Sequence, residues 1–190
     1  MSRRKTAGSP AQPAAPAYPR VAETSMGAAI VSSAHLVSER STELSEFEFG
    51  LIIAGNAFAR WAVRCMAAAG MPDLTLTDVL VLHHVNHRER SKKLADICFT
   101  LNYEDTHVVN YSLKKLVALG AVESEKIGKE VFYRTSPVGQ RIAQRYREVR
   151  EACLISAISA DENEEIGQLA ALLRALSGLY DQAARAATSL

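Results

Sequence analysis

The chain has 190 residues, of which 48% are hydrophobic, 23% charged and 6% aromatic, and its net charge is +1. This composition predicts one soluble globular domain with a sizeable core, and the near-neutral total gives no global sign of a nucleic-acid partner. Cys65, Cys98 and Cys153 are too few and too widely spaced for a disulfide scaffold. No apolar run reaches the roughly 18–20 residues of a membrane span, and the N-terminus lacks an apolar signal core, so the expected location is cytoplasmic, with no membrane partner.

Residues 1–25 read as a disordered tail, rich in proline, whose first 20 residues hold four basic side chains and no acid. Residues 26–72 hold a connector and a first helix, which the Ser45–Glu48 capping pair predicts to begin near Ser45. Its apolar stripe, from Phe47 through Leu51, Phe58 and Ala62 to Cys65, stops at Gly70 and Pro72. Ile52, Ile53 and Trp61 widen that stripe, which predicts burial on two sides, one against a partner chain.

Residues 73–136 carry a denser pattern. Thr75 and Asp78 cap a second helix containing VLVLHHVNH, and a polar turn RERSKK leads into a short helix, LADICFTL. Asn102 and Asp105 predict the cap of a fourth helix, which Gly120 ends. Residues 121–135 then change to a period of two around Gly128, the signature of a hairpin. Over 137–190, Ser136-Pro137 starts a helix expected to run to about Ile158, and Asp161 with Glu164 is expected to cap a last one.

Two helices, a short helix, a longer helix and a hairpin make a helix-turn-helix followed by a wing. The predicted fold is therefore mainly α with a small β-hairpin, the terminal helices forming a helical dimerisation region. In the fourth helix Val109, Leu113 and Leu116 face inward. The other face presents Thr106, His107, Asn110 and Tyr111 for base edges, and Lys114 and Lys115 for phosphates. Lys126 and Lys129 at the hairpin tip, with Lys92 and Lys93 before the short helix, are further phosphate candidates. Residues 88–134 hold nine basic and seven acidic side chains, so placement has to matter more than total charge. A winged helix used only for protein contacts is the alternative.

The segments LTLTDVLVL, KKLADI, VVNYSLKKLVALGAV and Thr135-Ser-Pro-Val-Gly139, in this order, resemble the MarR family of bacterial winged-helix regulators. HLVSERSTELSEFEFGLI and LVLHHVNHRER further resemble its LdtR-like subgroup, which is linked to cell-wall remodelling and stress tolerance. The resemblance implies a homodimer on palindromic double-stranded DNA, released by a small, often aromatic, effector. Phe58, Trp61, Met66, His83 and His84 are the effector-pocket candidates. The Asp-x-Arg pattern of many family wings is absent from IGKEVFYR, leaving Lys126 or Lys129 to stand in.

His83, His84 and His87 have helical spacing that could serve a metal-sensing alternative, and the cysteines a redox-sensing one. All three cysteines sit on apolar stretches and read as buried small hydrophobes. No cofactor and no resident metal are expected. No glycine-rich phosphate loop or nucleophile elbow occurs, so an enzyme is not expected.

Overall fold

The computed structural model describes residues 42–190, and the predicted tail and connector lie outside them. The chain divides into two units, 1–52 and 53–190. Helix α1 (Thr42–Ala68) crosses that boundary. It is already helical at Thr42, the first described residue, so the Ser45–Glu48 pair lies within the helix and not at its cap. The other end follows the sequence. Gly70 adopts φ +101°, and Met71 N donates back to Met66 O at 3.1 Å.

In the second unit, α2 (Leu76–Asn86) carries the expected capping box. Asp78 N donates to Thr75 Oγ1, and Thr75 N donates to the Asp78 carboxylate at 2.8 Å. A 3-10 turn at His87–Glu89, with Arg88 at φ +62°, leads to a strand β1 (Lys92–Lys93), where the sequence predicts a turn. Helix α3 (Leu94–Leu101) ends on Asn102, which takes the left-handed conformation at φ 55°. Asn102 therefore terminates α3 instead of capping the next helix. Asp105 does that, its carboxylate accepting from His107 N at 2.8 Å, and α4 spans Thr106–Ala118. Asparagine tolerates the left-handed region better than most residues, and this decides between two polar residues three apart.

Strands β2 (Val122–Ile127) and β3 (Glu130–Thr135) form the hairpin, with Ile127 opposite Glu130 across a two-residue turn. Gly128 supplies φ +63° in that turn. Strand β1 adds to β3 on its other edge, giving an antiparallel sheet in the order β1-β3-β2. Ser136 caps α5 (Pro137–Cys153), its hydroxyl accepting from Gly139 N and donating to Gly120 O at 2.6 Å.

Helix α5 stops before the expected Ile158. Ser156 Oγ donates to Ala152 O, a local bond that competes with helix propagation, and a 3-10 turn follows at Ile155–Ala157. Helix α6 (Ala160–Ala187) starts on a Ser159–Glu162 capping box, two residues ahead of the expected Asp161–Glu164 pair. The core joins Ala62, Cys65 and Met66 of α1, Val79, Leu82 and Val85 of α2, Ile97 of α3, and Val109, Leu113 and Leu116 of α4.

Candidate nucleic-acid interface

Helix α4 buries Val109, Ser112, Leu113 and Leu116. Helical geometry then turns Thr106, His107, Asn110, Tyr111 and Lys114 to the opposite side. All are exposed except the half-buried Asn110, and Tyr111 reaches 72%. Hydroxyl, imidazole, amide and phenol groups next to a lysine can donate to and accept from base edges and phosphates. Thr77 Oγ1 and Tyr103 Oη, 2.9 Å apart, tie α2 to the turn before α4 and help to set its angle.

The wing holds its cations unequally. Arg134 pairs with Glu123 at 2.8 Å. Lys93 pairs with Glu130 at 2.7 Å and lies over the Phe132 ring, so it braces β1 against β3. Lys126 and Lys129 are exposed and have no such partner among the described residues. The free charge of the wing is thus concentrated at its tip.

Two lysines of the predicted set are turned inward. Lys92 is buried, and its ammonium donates to the carbonyls of Val85 at 3.0 Å, His87, and Arg90 at 3.4 Å. Burial, aided by the Arg90 charge, pushes its pKa down. Lys115 donates to the Asp78 carboxylate at 2.8 Å and to Asp73 O at 2.7 Å. Asp78 is itself buried. Burial pushes its carboxyl up, but the Lys115 ammonium, with bonds from Thr75 and Ser112, holds it below the ordinary value. Both lysines brace the winged part from within, with their ammonium groups engaged by those partners. In sequence they cannot be told from solvated lysines, because their partners are mostly main-chain carbonyls brought near by the fold.

The predicted effector residues have different surroundings. Met66 is fully buried, Trp61 packs on the core, and Phe58 is half exposed. His83 stands edge-on to the Tyr146 ring with centroids 4.3 Å apart. Its Nε2 is buried without a partner, and burial lowers its pKa. His84 lines a cavity with His87, Arg88 and Asp96. Among the described residues no three His, Cys, Asp or Glu side chains converge as metal ligands. Cys65 and Cys98 are buried, and burial pushes both thiols up, away from the reactive thiolate. Cys153, expected to be buried, is exposed.

Sequence reading passed over two features. The Lys92-Lys93 strand is too short to show any period. Phe99, 88% exposed on α3, could have been found. With Leu94, Ile97, Cys98 and Leu101 facing inward, helical spacing sends Phe99 outward.

Residues 74–139 match the model of a winged helix DNA-binding domain. The domain is a winged helix. Solved structures with the same fold cover most of the chain. AbfR of Staphylococcus epidermidis is 20% identical, with a TM-score of 0.60 over 72% of this chain and 92% of its own. A MarR transcriptional regulator from Methanosarcina mazei is 12% identical, with a TM-score of 0.59 over 70% and 98%. FabT of Streptococcus pneumoniae, solved in complex with DNA, is 15% identical, with a TM-score of 0.56 over 72% and 99%. No curated protein matches the sequence. No described helix is long and apolar enough to cross a membrane. In the winged helix, α3 and α4 form the helix-turn-helix, and β2 and β3 the wing.

Proposed function

We propose that this protein is a MarR-type transcriptional regulator that binds palindromic DNA as a homodimer and responds to a small effector. The observation that carries the reading is the polar outward face of α4, together with two exposed lysines at the wing tip that lack an ion-pair partner among the described residues. Thr106, His107, Asn110 and Tyr111 read base edges, while Lys114, Lys126 and Lys129 meet phosphates. Residues 73–136 are the DNA-binding part, and 26–72 with 137–190 the dimerisation part. In support of a partner copy, Ile53 and Phe58 of α1 and Ile166, Leu169, Leu172 and Leu179 of α6 are about half exposed. A two-fold protein then requires a two-fold operator with half-sites about one helical turn apart. An LdtR-like role in cell-wall remodelling or stress tolerance rests on the sequence resemblance.

The test is a titration against the intergenic region upstream of the protein's own gene and against random duplex, at two salt concentrations. Preference for the former that weakens steeply with salt supports the reading; equal affinity near physiological salt overturns it. Lys126→Ala and Lys129→Ala should weaken binding to every duplex and reduce the log–log salt slope by about 0.9 each. Asn110→Ala should leave that slope unchanged and relax discrimination at one or two base pairs by about 1–3 kcal/mol. An equal loss on cognate and scrambled duplex would rule out base reading by Asn110.

A further inference from the structure

The wing ends in an exposed aliphatic side chain. On one face of the hairpin, Glu123, Glu125 and Ile127 of β2 stand opposite Arg134, Phe132 and Glu130 of β3. Arg134 pairs with Glu123 at 2.8 Å. Lys93 of β1 lies over the Phe132 ring and pairs with Glu130 at 2.7 Å. Ile127 is the last strand residue before the turn and is 55% exposed. Its partner across the hairpin, Glu130, is a carboxylate and not an apolar group.

Lys126 and Lys129 flank Ile127-Gly128, and both are exposed. An aliphatic group between two cations complements a DNA groove, whose rims are anionic phosphate and whose walls and floor are sugar and stacked base. The Glu130 carboxylate would oppose entry, but Lys93 draws it back. Lys93 stands across from Phe132, two residues further from the tip than Glu130. The minor groove of B-DNA is about 6 Å wide, and the two backbones of a hairpin are already about 4.8 Å apart. This tip therefore enters only where the groove opens. Pyrimidine–purine steps such as TA and CA/TG unstack most readily. Lysine brings charge without the planar fork that reads base edges, so deformability is what such a tip distinguishes.

We propose that Ile127 is an apolar wedge that partly unstacks a flexible pyrimidine–purine step of the bound duplex, while Lys126 and Lys129 hold the phosphates on either side. The wing then selects DNA by how easily a step deforms, at base pairs whose edges it does not read. This deepens the DNA-binding part of the regulator reading and rests on it. Lys93 acts here as a positioning residue, since its bond to Glu130 keeps that carboxylate from the entering tip.

The full chain is bound to the intergenic duplex upstream of its own gene, footprinted, and treated with permanganate, which oxidises unstacked thymines. TA and CA/TG steps each contain a thymine. The parent should make at least one thymine near the edge of the protected stretch hyper-reactive. Ile127→Ala should abolish that signal and weaken binding by about fivefold or more, with the salt slope unchanged. Ile127→Lys should also weaken binding, although it adds a third cation to the tip. Replacing the reactive step by AA should weaken the parent but not Ile127→Ala, because the two changes remove the same interaction. Both substitutions fall on an exposed side chain, and an unchanged Tm verifies the fold. No hyper-reactive thymine, an Ile127→Ala affinity within about twofold of the parent, or tighter binding by Ile127→Lys would overturn the proposal and leave the regulator reading standing. Equal affinity of the parent for intergenic and random duplex overturns that reading instead. A thymine signal on the bound duplex that Ile127→Ala abolishes would then still uphold the wedge, and no binding of either duplex removes both.

Discussion

Gly139→Ala is expected to destabilise the protein by about 3 kcal/mol, the upper end of the usual cost of overpacking. A Cβ at this position would overlap Ala121 O and lie 2.7 Å from Thr135 Cγ2. Neither neighbour can give way easily. Ala121 O already accepts from Ser136 N at 3.0 Å, and Ser136 Oγ spans from Gly120 O to Gly139 N. This joint holds the end of α4, the start of β2 and the first turn of α5 in one place. For a chain of this size the loss corresponds to a Tm lower by roughly 6–12 °C, measured at fixed protein concentration because association would shift it. Gly167→Ala is the control. It lies inside α6 with open space around the new methyl, and should be neutral or stabilising by about 0.5–1 kcal/mol. A Gly139→Ala variant within 1 kcal/mol of the parent would show that the joint opens more easily than its bonds imply.

Asp78→Ala is expected to cost about 2–4 kcal/mol, because it strands the Lys115 ammonium and removes one of the two bonds of the α2 capping box together. Breaking a buried pair from one side costs roughly 3–5 kcal/mol, and the partial exposure of Lys115, 28% on its side chain, reduces that figure. Lys115→Met should also be destabilising, since it leaves the buried carboxylate uncompensated. It should nevertheless leave the salt slope of DNA binding unchanged, unlike Lys126→Ala. A reduced slope would return Lys115 to the phosphate contacts. The pair also sets an acid limit. The Asp78 carboxyl is held below its ordinary value in the folded chain. Its contribution is therefore complete above the unfolded value of about 3.9 and is lost as pH falls through the lower native value. Denaturant titrations from pH 6 to pH 2 should show this part of the stability disappearing at the acid end in the parent and missing in Asp78→Ala.

Those two positions mark where sequence reading succeeds and where it stops. Thr75-x-x-Asp78, Gly120, Gly128 and Ser136-Pro137 are local devices whose partners lie within a few residues, and each ends or starts its element as predicted. Other caps were misplaced by a few residues because competing polar groups stood side by side. Ser159 outcompeted Asp161, and Asp105 outcompeted Asn102, each choice following from backbone conformation. The outward face of α4 was also legible, because a period of 3.6 separates Val109, Leu113 and Leu116 from Thr106, Asn110 and Lys114. The lysines were not. Lys92, Lys93 and Lys115 look like Lys126 and Lys129 in sequence, yet three are held by partners and two are free.

A net charge of +1 therefore said little about partners, while hydrophobic period and cap residues determined the order of helices and hairpin. Those signals are local, so the chain carries them without folding. Tertiary structure alone decided which lysines of the winged part are held by partners and which remain available. A lysine is held by whatever carbonyl or carboxylate the fold brings within about 3 Å, and the carboxylates that hold Lys93 and Lys115 lie 37 residues away in the chain.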